Sequence, residues 1–103
     1  MTRIVLACAF GMSTSMLVQR MQEEAAKQGL EADIRAISET DVKRETGNMD
    51  VLLLGPQIRF QLKKFREELA PMGIPVDVIE MADYGRMNGA AVLKKAMDLV
   101  QEK

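Results

Sequence analysis

A chain of 103 residues, 48% of them apolar, can bury one core but has little length left for a second, so it reads as one domain over residues 1–103 and not as a disordered segment. Its 14 basic and 15 acidic residues leave a net charge of −1, and three Phe, one Tyr and no Trp offer few stacking platforms, which argues against nucleic acid as a partner. Histidine is absent and Cys8 is the only cysteine, which removes a Cys–His pair, a histidine phosphocarrier, an internal disulfide and most zinc sites, and agrees with a reducing compartment.

The first apolar run, Ile4 to Ala7, reads as a buried strand. Cys8 ends it, and Ala9, Phe10 and Gly11 lead to Ser13 or Thr14, either of which can cap a helix with Leu17, Met21 and Ala25 on its apolar face and Gly29 as its stop. Ala32 to Ala36 alternates apolar and polar side chains, as an edge or half-buried strand does. Ser38 to Thr46 reads as a short, weak helix capped by Ser38 and ended by Gly47-Asn48. Val51 to Leu54 is apolar throughout, as a strand covered on both faces would be. Ile58, Leu62, Phe65 and Leu69 share a helical face that stops near Pro71 and Gly73. A fourth strand, Val76 to Ile79, precedes a last helix that starts after Gly89 and carries Val92 or Leu93, Ala96 and Val100. The nine Met residues read as core filler.

This alternation predicts an α/β fold: a four-stranded parallel sheet with helices on both faces and strand order 2-1-3-4, the two most apolar strands being central. The switch point then lies between strands one and three, where such sheets bind ligands at the carboxyl ends of the strands. The loop after Cys8 and the segment Gly55-Pro56-Gln57 would face one crevice there. No apolar run reaches the ~20 residues of a membrane span, and no signal-peptide pattern opens the chain. The expectation is a cytoplasmic protein without direct membrane insertion.

A strand–loop–helix turn built from small residues can aim backbone N–H groups at an anion, and the helix N-terminus adds its dipole. The same field favours the thiolate of a cysteine placed there. Cys8 is therefore the candidate nucleophile, and Ala9, Phe10, Gly11, Met12, Ser13, Thr14 and Ser15 are the candidate phosphate-binding residues. An inert buried thiol beside an ordinary helix cap is the alternative. A G-x-x-x-x-G-K-[ST] loop, a G-x-G-x-x-G turn after strand one and a C-x-x-C pair are all missing, which excludes the corresponding nucleotide, dinucleotide and thioredoxin-type readings.

C-A-F-G-M-S-T-S at positions 8–15 resembles the C-x-x-G-M-S-T-S loop of IIB components of the lactose/cellobiose/chitobiose class of the bacterial phosphoenolpyruvate-dependent sugar phosphotransferase system. Val51 to Ile58 resembles that family's V-L-L-G-P-Q-I stretch, and Asp83 to Gly89 its Y-G-x-x-x-G segment, so the likeness spans essentially the whole chain. The resemblance implies that Cys8 accepts a phosphoryl group from a histidine of a IIA partner and passes it to a sugar held by a membrane IIC partner. It implies a phosphate loop like that of low-molecular-weight tyrosine phosphatases, peripheral association with the membrane through IIC, and neither cofactor nor metal. Ala9 and Phe10 stand where relatives usually carry small or polar residues. Gln57, Arg59, Tyr84 and Arg86 are the remaining candidates, as site rim or partner contacts.

Two rival readings share the fold. A phosphatase would need C-x5-R-[ST], but the sixth residue after Cys8 is Thr14, and no Asp-Pro loop supplies a general acid. A non-catalytic regulatory module on the same fold is the other.

Overall fold

Ile4, Val5, Leu6 and Ala7 carry no polar side chain, and all four are fully buried in β1 (Thr2–Cys8). A strand so uniformly apolar needs cover on both faces, and the computed structural model, which describes residues 1–9 and 11–102 with backbone alone at 11–13, supplies it. β1 pairs in parallel with β2 (Ala32–Ser38) from Thr2↔Ala32 to Cys8↔Ser38, and on its other side with β3 (Val51–Leu54) from Ile4↔Val51 to Ala7↔Leu54. β4 (Val76–Val78) joins β3 in parallel, giving the order β2-β1-β3-β4 that the pattern predicts.

Period-two alternation divides the core. Ile4, Leu6, Val51 and Leu53 face α1 (Gly11–Gln28) and the C-terminal helix, where they meet Leu17, Met21, Val92, Leu93 and Ala96. Val5, Ala7, Leu52 and Leu54 face the other layer and pack with Val42, Ile58, Phe65 and Leu69. Leu53 is fully buried. Leu53→Ala is expected to cost about 2–5 kcal/mol, transfer and cavity together, read as a fall in the urea midpoint at unchanged slope.

Five local expectations change. α1 starts at Gly11, so Ser13 and Thr14 lie inside its first turn and neither is its cap. It ends as expected, with Gly29 at φ +68° and Leu30 N–H donating to Ala25 O at 2.9 Å. The weak second helix is a 3-10 segment, Glu39–Asn48, in which only Val42 is buried; Ser38 does cap it, accepting from Thr40 N–H. The third helix is split into a 3-10 segment, Pro56–Gln61, broken by the non-helical backbone of Ile58, and α2 (Leu62–Leu69). An additional short helix, α3 (Met81–Gly85), precedes α4 (Gly89–Gln101), whose cap is Asn88 Oδ1 accepting from Ala91 N–H at 3.1 Å. Met21 and Met49 fill the core as expected, but Met1, Met16, Met72 and Met81 are more than half exposed.

The outer strand β4 is dressed by side chains. Arg66 Nε donates to Val76 O at 2.9 Å, Lys95 Nζ to Val78 O at 2.6 Å, and Val78 N–H donates to Asp77 Oδ1 at 2.7 Å. At the opposite end of the sheet from Cys8, Asp50 accepts from the backbone and guanidinium of Arg3 and ties the start of β3 to β1.

Candidate functional site

Parallel strands release all their carboxyl ends on one side of the sheet, and β1 delivers Cys8 there at 3% exposure. The N-terminus of α1 lies three residues on, at Gly11. The first N–H groups of a helix have no intrahelical partner, so an anion held at this turn would meet donors beginning at the loop itself. Of the loop residues, Ala9 and Ser15 are exposed and Thr14 is fully buried. Phe10 lies outside the described residues, as do the side chains of Met12 and Ser13 and any statement on burial at Gly11.

The second wall is the turn after β3. Gly55 N–H donates to Ala7 O at 2.8 Å, which locks this turn against the end of β1. A Cβ added at Gly55 would stand 2.8 Å from Gln57 Oε1 and 3.3 Å from Cys8 Cβ. Gln57 is exposed, yet its side-chain oxygen folds back over Gly55. Glycine is needed here for close approach, since a larger residue would crowd both neighbours.

The third element is α3. Tyr84 is only 7% exposed and belongs to the core beside Leu17, Val18 and Val92. Its hydroxyl lies 3.3 Å from Thr14 Oγ1. Arg59 and Arg86 are exposed. Arg59 bonds Pro56 O at 3.4 Å and lines a cleft with Asp77, Glu80, Met81 and Lys95, on the β4 side of the edge. Arg86 follows α3 and forms no ion pair with a described residue.

The exposed apolar residues were not foreseen. Met16, Phe60 and Met81 are 53%, 78% and 64% exposed, and they sit on the segments that follow β1, β3 and β4. Phe60 falls off the Ile58-Leu62-Phe65-Leu69 stripe, which was the one available signal that it faces outward.

Among the described residues two groups have clearly altered proton affinity, and both are remote. Asp50, by hydrogen bonding and then by charge, raises Arg3; Asp98 does the same for Lys94 on α4. Among the described residues no three His, Cys, Asp or Glu side chains converge as metal ligands, and no helix is long and apolar enough to cross a membrane.

Residues 3–95 match the family described as PTS system, Lactose/Cellobiose specific IIB subunit. The chain is 46% identical to the galactose-specific EIIB component of Lactococcus lactis subsp. cremoris (strain MG1363), with 94% of each chain covered. It is equally 46% identical to the cellobiose-specific EIIB component of Lactococcus lactis subsp. lactis (strain IL1403), again with 94% of each covered. The solution structure of the cellobiose-specific phosphotransferase IIB component from Borrelia burgdorferi superposes with a TM-score of 0.83 at 44% identity, covering 99% of this chain and 94% of that one.

Proposed function

Because the chain belongs to the lactose/cellobiose-specific IIB family of the sugar phosphotransferase system, we propose that Cys8 is its phosphoryl acceptor, loaded by a IIA protein and discharged to a sugar on a membrane IIC protein. The observation that carries this is the position of Cys8: a thiol at the end of a central strand, three residues before a helix N-terminus and under the turn at Gly55. In the first step the thiolate of Cys8 attacks the phosphorus of a phosphohistidine. An S–P bond forms, the N–P bond breaks and the imidazole leaves with the electron pair. In the second step a sugar hydroxyl oxygen attacks the same phosphorus, an O–P bond forms, the thiolate departs and the hydroxyl proton is released. Backbone N–H groups of the turn from Ala9 to Ser15 would hold the phosphoryl oxygens in both.

The partners would be proteins, and exposed side chains on the segments that follow β1, β3 and β4 suit them. Met16, Phe60 and Met81 offer apolar contact, while Gln57, Arg59 and Arg86 offer polar contact to a surface carrying a phosphoryl group. The sugar is chosen elsewhere: relatives equally similar to this chain are named for galactose and for cellobiose. The protein itself would work at the cytoplasmic face of the membrane that holds IIC.

Intact mass after incubation with phosphoenolpyruvate, the general phosphotransfer proteins and a matching IIA tests the reading. One added phosphoryl group on Cys8 is expected; an unchanged mass with a working donor chain would sink it. Gly55→Ala bears on the second wall. Gln57 is flexible and can swing away, but Cys8 Cβ must yield by a few tenths of an ångström. Unfolding midpoints should drop modestly, within the roughly 1–3 kcal/mol of ordinary overpacking, while the rate of phosphoryl acceptance falls severalfold in stopped assays.

A further inference from the structure

We propose that Tyr84 is a positioning residue for phosphoryl transfer, holding the first turn of α1, and hence the loop after Cys8, through the hydroxyl of Thr14. The inference rests on Cys8 being the acceptor. It starts from Thr14, a polar side chain with no exposure in a core otherwise made of apolar groups. A buried hydroxyl needs a partner, and Tyr84 OH stands 3.3 Å away, contributed from a residue 70 positions along the chain. The pair joins the first turn of α1 to α3, an element on the far side of the sheet's sequence order.

The bracket that carries Tyr84 is itself tightly held. Tyr84 N–H donates to Glu80 O at 2.9 Å, Met87 N–H to Tyr84 O at 3.1 Å and Asn88 N–H to Asp83 O at 2.9 Å. Met87 adopts φ +53°, a left-handed conformation that a non-glycine residue keeps only where its surroundings over-determine it. Two residues later Gly89 lies directly on the backbone of α1 at Arg20 and Met21. Thr14 and Arg20 are separated by about 9 Å of helix, at about 1.5 Å per residue. Two contacts that far apart, both delivered by one short segment, set the tilt of α1 as well as its height. The donors at its N-terminus are thereby aimed. Misplacing catalytic groups by about 1 Å can cost roughly a hundredfold in rate, so the contact between Thr14 and Tyr84 can govern transfer through the placement of the loop.

Phosphoryl acceptance from a phosphorylated IIA protein of the lactose/cellobiose class is measured for wild type, Tyr84→Phe, Thr14→Val, the double variant and Thr14→Ser, with unfolding midpoints and the phosphorus NMR shift of the loaded proteins. Each hydroxyl-deleting single variant should slow acceptance about tenfold and move the phosphorus signal; Thr14→Ser should restore both. The double variant removes both ends of one contact, so its midpoint should fall by less than the sum of the two single losses. Its rate should stay well above the roughly hundredfold loss of two independent effects, because the two changes share one contact. A double variant that transfers at the wild-type rate, or a Tyr84→Phe protein with wild-type rate and phosphorus shift, would overturn the proposal. Should Tyr84→Phe fail to fold, the double variant decides alone. Wild-type protein that accepts no phosphoryl group would refute the assignment of Cys8 instead, a distinguishable outcome.

Discussion

Exchanging Cys8 for alanine should leave a folded protein that cannot carry a phosphoryl group. The thiol is 3% exposed and one sulfur atom is lost, so the change in packing is small beside the change in chemistry. Removing a nucleophile costs enzymes on the order of 10⁴-fold or more in rate, and no other cysteine and no histidine exists in this chain to substitute. Cys8→Ser is the sharper companion. Its hydroxyl keeps nearly the same shape but stays protonated near neutral pH, and a phosphate ester on oxygen would leave far less readily than one on sulfur. Neither variant should phosphorylate sugar in membranes containing IIC, and both should give circular dichroism spectra like wild type. Sugar phosphorylation by Cys8→Ala at more than about one hundredth of the normal rate would move the acceptor to another residue.

Gly89→Ala should be the most damaging added methyl group among the described glycines. A Cβ there would stand 2.5 Å from Arg20 C and 2.7 Å from both Arg20 O and Met21 N. These are backbone atoms in the middle of α1, so no rotamer change can relieve the contact and the two helices must separate. Alanine at the start of α4 regains about 0.5–1 kcal/mol of helix propensity. Overpacking of this kind costs roughly 1–3 kcal/mol and sometimes more, and the rigidity of the opposing backbone puts this site at the upper end. The net loss should lower the melting temperature by about 10 °C or more, since each kcal/mol is worth about 4–8 °C in a domain of this size. A shift below about 3 °C would mean that α4 slides freely over α1. Any surviving native protein should also transfer more slowly, because α1 carries the loop at its N-terminus.

These two sites differ in how far the amino-acid order discloses them. Cys8 could be picked out beforehand: a lone thiol, a uniformly apolar strand behind it and hydroxyl residues after it are all local. The order of the sheet was legible for a similar reason, because Ile4 to Ala7 and Val51 to Leu54 are apolar on both faces while Ala32 to Ala36 alternates. Gly89 was visible only as a helix start. Whether a glycine serves a turn or a close approach depends on what lies opposite, and Arg20 is 69 positions away. The same holds for Thr14 and Tyr84, whose hydroxyls meet only because α1 and α3 pack on one face. Ser13 and Thr14 looked like caps because cap preference is local, whereas α1 begins at Gly11. Short elements escaped periodicity altogether: five residues of α3 cannot display a helical repeat, and the segment Glu39–Asn48 winds as 3-10 with a single buried anchor, Val42.

The side chains that occupy β4 decide how other molecules can meet this protein. An uncovered outer strand invites a neighbour to extend the sheet, whether a foreign peptide or another copy of the same chain. Arg66, Lys95 and Asp77 already satisfy the groups such a neighbour would seek along Val76 and Val78. On the proposed reading of the chain as a phosphoryl carrier, a blocked β4 edge spares it main-chain pairing that reads little of a partner's identity. The same reading leaves β4 out of docking and puts the weight of recognition on side chains at the end of the sheet where the thiol sits.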